Sequence, residues 1–186
     1  MDGAFSVTVL RRRSELSAVA GECADLALHS AERSRLDQPR RREGTRCVLI
    51  WTGAQGRGKL GALVPFAAPG PYRGLPLVAL TSCTPLLRVG WEEASLHALL
   101  DWFRADGEGA VLLEFRGLAR GGPVYHAFAE VARQREQLVM ATAAADGSCT
   151  LLVTDRTWSG PTGAAPPLLR WAKRGAASVI YGRLDL

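Results

Sequence analysis

The chain has 186 residues, 47% of them hydrophobic and 22% charged, enough apolar material to bury one domain core and too much for a disordered chain. Even the apolar stretch from Leu60 to Ala68 is broken by Pro65, and no run approaches the roughly eighteen residues of a membrane-spanning helix. The formal charge of +5 comes almost wholly from arginine, with Lys59 and Lys173 the only lysines and no asparagine, a bias expected of a GC-rich genome.

Near the N-terminus, Phe5-Ser6-Val7-Thr8-Val9-Leu10 precedes Arg11-Arg12-Arg13, the reverse of a secretory signal, so a cytoplasmic location is expected. Phe5 to Leu10 alternates and predicts a first strand. Ser14 then offers an N-cap to one long helix, whose apolar stripe is Leu16, Val19, Ala20, Cys23, Leu26 and Ala27 and whose end is expected near Leu36, before Pro39. The run Arg40-Arg41-Arg42 lacks interleaved aromatics and reads as a solvated loop, so no nucleic acid partner is expected.

Cys47 to Trp51 and Leu60 to Phe66 are apolar strands joined by glycines, which predicts a hairpin. Pro69, Pro71 and Pro76 mark an irregular crossing before a strand from Leu77 to Thr81. Trp91-Glu92-Glu93 opens a helix with buried stripe Leu96, Leu99, Leu100 and Phe103, ending at Gly107. Ala110 to Phe115 reads as a central strand. After Gly121-Gly122, Pro123 starts a helix that turns Val124, Ala127, Phe128 and Val131 inward. Gln137 to Thr142 and Ser148 to Thr154 flank the turn Asp146-Gly147 as a second hairpin.

This order predicts an α/β (α+β) domain over residues 1–156, a single mixed β-sheet with helices packed on it. Residues 157–186 form a Gly/Pro-rich linker and C-terminal tail, with two helical turns at Leu168 to Arg174 and a last strand at Ser178 to Tyr181. That tail either packs on the domain or is the stub of a missing second half.

Gly56, Gly58 and Gly61 spell G-x-G-x-x-G after a strand, but a dinucleotide needs a helix N-terminus behind the glycines. Ala62-Leu63-Val64-Pro65-Phe66 reads as a strand, so a glycine-rich hairpin turn is the better reading. Gln55-Gly56-Arg57-Gly58-Lys59-Leu60 departs from an acetyl-CoA loop at Leu60 and also lacks the helix. The four cysteines, Cys23, Cys47, Cys83 and Cys149, have neither zinc-ligand nor disulfide-framework spacing, so reduced thiols and no metal site are expected. Cys83 in a polar turn and His126 near a helix start are the residue types of a thiolate–imidazole pair, but a half-buried structural cysteine and an exposed helical histidine are the better reading. His29 and His97 fall on polar helix faces. Tyr125 and His126 stand out because Gly121-Gly122-Pro123 puts them at a helix N-terminus, where α/β proteins gather function.

Gly61-Ala62-Leu63-Val64-Pro65-Phe66, followed by Thr81-Ser82-Cys83-Thr84-Pro85-Leu86-Leu87 at the end of the next strand, resembles the FemAB-like, CelD-type GNAT acyltransferases. The order of elements from Phe5 to Thr154 resembles the N-terminal half of such an enzyme. The resemblance implies a bacterial transferase of two GNAT-like halves, the second usually holding the acyl-CoA, that acylates a small-molecule amine. It implies no cofactor in the isolated chain, acetyl-CoA or another acyl-CoA once a second half completes it, and a homodimer or a second GNAT-like half as partner. A non-catalytic binding or scaffold domain derived from the same fold is the alternative, and no residue here is identified for acyl-donor binding.

Overall fold

The computed structural model describes residues 5–31, 45–53, 58–72, 75–81, 84–107, 110, 112–135, 138–143, 147–154 and 177–181. In chain order these form β1 (Phe5–Leu10), α1 (Arg13–Ser17), α2 (Ala20–Leu28), β2 (Thr45–Thr52), β3 (Leu60–Ala67), β4 (Gly70–Tyr72) and β5 (Leu75–Thr81). There follow β6 (Leu86–Leu87), α3 (Glu92–Ala105), β7 (Leu112–Ala119), α4 (Pro123–Arg135), β8 (Leu138–Ala143), β9 (Ser148–Thr154) and β10 (Ala177–Tyr181). All ten strands join one mixed sheet, ordered β1-β2-β3-β5-β7-β9-β8-β10, with β4 on β5 and β6 on β3.

Apolar residues in β2 and β3 are almost continuous because both sheet faces are covered where these strands lie. Val48, Ile50, Ala62 and Val64 point toward α3, whereas Leu49, Trp51 and Leu60 point toward Leu26 of α2. The antiparallel pairing of β2 with β3 bears out the glycine-joined hairpin. The second expected hairpin is β8 with β9, turning through Gly147 at φ +81°. That left-handed backbone favours glycine.

The long first helix is two helices. The backbone breaks at Ala18 and Val19, where the N–H of Val19 tightens onto the carbonyl of Leu16 at 3.2 Å, and α2 then starts at Ala20. It ends at Leu28, because Ser30 bridges to Arg88 and the N–H of Ala31 binds the carbonyl of Leu87 at 2.9 Å. Residues 32–44, which include the expected helix end and Arg40 to Arg42, lie outside the described residues. Ser14 is not the cap either. The Glu15 carboxylate reaches back to the N–H groups of Arg12 at 3.0 Å and Arg11 at 2.7 Å, which holds its pKa below the ordinary carboxylate value.

The crossing marked by prolines is also more regular than its composition suggests, since β4 folds back on β5 with Gly70 opposite Val78 and Tyr72 opposite Leu75. Elsewhere α3 and α4 follow their apolar stripes. Leu96, Leu99, Leu100 and Phe103 join Val124, Ala127, Phe128 and Val131 in one core with β7 and β9, where the Phe115 and Phe128 rings sit 4.5 Å apart. A smaller core on the other face joins α2 to β2, β3 and β6 through Leu26, Leu49, Trp51, Leu60 and Leu86.

Candidate functional site

Strands β5 and β7 are parallel, linked by α3, and sit between two antiparallel groups of strands. Their ladder runs from Val78 opposite Leu112 to Thr81 opposite Phe115 and stops there. On the other side of β5, β3 pairs with Thr81 through Phe66 and then with Leu86 through Leu63. Pro65, with no N–H to donate, lies between those two contacts. The chain leaving β5 thus turns toward β3, while β7 runs on toward α4.

Beyond Phe115, β7 is bulged. Its register against β9 breaks between Phe115 and Leu118, and Gly117 takes φ +70° in the gap. The Thr84 hydroxyl donates to the Gly117 carbonyl at 3.2 Å, bridging the two departing chains. A Cβ on Gly117 would meet nothing within 4 Å, so the glycine faces open space. Loops leaving the carboxyl ends of such strands commonly carry functional residues in α/β proteins. Thr84 and Gly117 thus meet where β5 and β7 part, which makes this end of the sheet the candidate site.

Both crossover helices begin at the same end of the sheet. The first turn of α3 carries Glu92 and Glu93, whose charges complement the helix dipole and oppose a bound diphosphate. The first turn of α4 has no acidic residue and follows Gly121 at φ +76° and Gly122, whose carbonyl accepts the N–H of His126 at 3.0 Å. Tyr125 is half-buried against the larger core, His126 is exposed, and their rings meet edge-on at 5.8 Å. The imidazole folds toward Gly121, where a Cβ would come 3.9 Å from Nε2. Tyr125 and His126 therefore form the expected pair at the carboxyl end of β7, whereas Cys83 lies outside the described residues.

The remaining motifs have structural explanations. Gly61 lies inside β3, and a Cβ there would be 3.0 Å from Ser95 Oγ and 3.4 Å from the Trp91 ring. A Cβ on Gly58 would overlap the Thr52 carbonyl oxygen. Close packing explains these glycines, and a strand follows them; Gly56 lies outside the described residues. His29 Nδ1 lies 2.8 Å from the Asp25 carbonyl at the end of α2. His97 bridges α3 to α4, with Nε2 2.8 Å from Gln134 Oε1 and Nδ1 3.3 Å from Arg135 Nη1. Cys23, Cys47 and Cys149 are not in disulfides, and among the described residues no group of three His, Cys, Asp or Glu is placed to hold a metal ion. Nor is any described helix long and apolar enough to cross a membrane.

Arg88 is the important residue that sequence reasoning missed. It is only 7% exposed, its Nε donates to the Leu60 carbonyl at 2.8 Å, its Nη2 pairs with Asp25 at 2.5 Å, and its guanidinium lies 5.4 Å from the Trp91 ring centre. The hydrogen bond from Arg88 holds the Asp25 carboxyl below its ordinary range. Arg88 thereby ties α2, β3 and the start of α3 together. The one local signal was an arginine closing the apolar pair Leu86-Leu87 three residues before Trp91. A scan against protein-family models matches no family, and a search of curated proteins finds no matching relative.

Proposed function

We propose that the chain is a GNAT-related N-acyltransferase module of the FemAB-like, CelD-type kind, completed by a second GNAT-like half or by a second copy of itself. The observation that carries this reading is the parting of β5 and β7 at their carboxyl ends, the one parallel pair among the described strands, where Thr84 meets Gly117. The order strand, helices, hairpin, strand, helix, strand, helix, hairpin supports it, because the resemblance at Gly61 to Phe66 and Thr81 to Leu87 implies that order. In this reading an acyl-CoA and a small-molecule amine meet at that end of the sheet, with Tyr125 and His126 the titratable side chains nearest the start of α4.

A second reading, a non-catalytic binding or scaffold domain on the same fold, is favoured by a specific feature. The helix after β5 opens with Glu92 and Glu93, and the glycine run after β2 opens a strand, so neither supplies a helix N-terminus suited to a CoA diphosphate. Calorimetric titration of acetyl-CoA at near-physiological salt, with sedimentation of the same sample, separates the readings. Binding that grows with dimer or with an added second half supports the acyltransferase module. No binding in any assembly state leaves the scaffold reading, and tight binding by a strict monomer contradicts the need for completion.

A further inference from the structure

We infer that Arg116 is the anion-recognition residue at the end of the sheet where β5 and β7 part, held by the buried Glu114 so that its guanidinium takes the carboxylate of a small-molecule ligand. Glu114 lies inside β7, in register with Leu80 of β5 and Leu152 of β9, and its side chain is only 5% exposed. A carboxylate is costly to bury and persists where a cation accompanies it. Here that cation is Arg116, two residues on and on the same face of the strand, whose Nε donates to Glu114 Oε1 at 2.7 Å.

The arginine is not drawn in with its partner, since its side chain is 42% exposed against 5% for Glu114. Phe115 is the last residue of β7 paired with β5, and the register against β9 slips between Phe115 and Leu118, so Arg116 occupies the bulge itself. Bulges re-aim side chains and gather beside active sites. The next residue, Gly117, takes φ +70° with nothing within 4 Å of where a Cβ would sit, and its carbonyl accepts the Thr84 hydroxyl. One end of the pair is thus anchored in the sheet and the other stands at the candidate site. An exposed cation kept only to neutralise Glu114 would be weakened by solvent screening. A partly exposed guanidinium on a buried carboxylate is instead the arrangement that fixes its orientation before a ligand arrives.

The chemistry of the pair selects the ligand. A guanidinium carries five N–H donors in a planar fork, so it can serve a glutamate along one edge and a second carboxylate along another. Because Glu114 and Arg116 together are net neutral, they suit a singly charged carboxylate better than a phosphate dianion, which the glutamate would repel. The substrate class so named is an amine that also carries a carboxylate. Its amine rests on the acyltransferase reading above, whereas the carboxylate site stands on Glu114 and Arg116 alone.

NMR of arginine Nε–H groups and backbone amides in the full chain tests the inference, with acetate as the probe and sodium chloride at matched ionic strength as the control. Acetate should shift the Arg116 Nε–H and the Gly117 amide, chloride should not, and inorganic phosphate should act no more strongly than acetate. Arg116→Lys keeps the charge without the fork and should abolish the Gly117 shift. Equal shifts from acetate and chloride, stronger binding of phosphate, or a Gly117 shift that persists in Arg116→Lys would overturn the assignment. A second variant separates binding from folding. Glu114→Met with Arg116→Leu replaces the pair by apolar side chains, and should leave the unfolding midpoint near that of the parent or raise it while losing the acetate response. A large loss of stability there would mean that the pair serves the fold, and would contradict the proposal. Failure of acetyl-CoA to bind in any assembly state would remove the acyltransferase reading and leave the expected acetate shifts as they are.

Discussion

The two sides of the sheet are held by different means. Under α3 and α4 the core is wide and apolar, running from β2 to β9 with paired rings at Phe115 and Phe128. Under α2 the core is a handful of side chains, and a buried arginine fastens the helix to β3 and to the turn before α3. A short helix such as α2, at nine residues, cannot hold its place by propensity, and its stripe buries only Leu26 fully. Directional polar contacts from Arg88 do there what apolar area does on the other side. The lesson is that one face of the sheet is set by packing and the other by one guanidinium.

Substitutions on each side put that difference to the test. The largest loss should follow Phe128→Ala, about 3–5 kcal/mol by denaturant unfolding, because it removes a fully buried ring from the wide core. Arg88→Met keeps the length of the stem and removes the fork, and should lower stability by about 1–3 kcal/mol while loosening amide exchange at the end of α2. A loss as large as that from Phe128→Ala, spread over α3 and α4, would mean the two sides are not held separately. Gly61→Ala presses on Ser95 and Trp91 at the boundary of the two sides and should cost about 1 kcal/mol.

Acid should act through exposed carboxylates on both sides, with a smaller effect. Asp25 is lowered from its ordinary 3.8 by Arg88, and Glu130 is lowered from 4.5 to about 2, first by its hydrogen bond from Arg133 and then by Gln134. A folded pKa below the unfolded one contributes stability that is present above the unfolded value and is lost as pH falls through the folded value. Stability measured by denaturant unfolding from pH 5 downward should therefore fall as pH drops through the ordinary carboxylate range and below it, and Asp25→Asn should flatten the part of that slope due to Arg88. An unchanged slope in Asp25→Asn would show that the Arg88 contact is energetically silent.

What the sequence made legible were features carried by local period and turn chemistry. The stripes of α3 and α4, the glycine-joined β2–β3 hairpin and the Asp146-Gly147 turn each span few residues and need no distant partner. The break in the first helix was hidden because its apolar spacing continues through Val19, and contacts with the distant segment Leu87 to Val89 end α2 where it does. Proline content concealed the β4–β5 hairpin. Of the site, Tyr125 and His126 were marked by Gly121-Gly122-Pro123. Thr84 and Gly117 were not, since they meet across 33 residues and one acts through its carbonyl, which any residue carries.

Amide NMR of the isolated chain during millimolar acetyl-CoA addition tests most directly whether ligands enter where β5 and β7 part. Even a module awaiting its second half should show weak, salt-sensitive shifts at such concentrations, centred on Thr84, Gly117, Gly121 and Gly122. Shifts centred instead on the hairpin glycines Gly58 and Gly61, or no shift at Gly117, would contradict the assignment of the site to that end of the sheet.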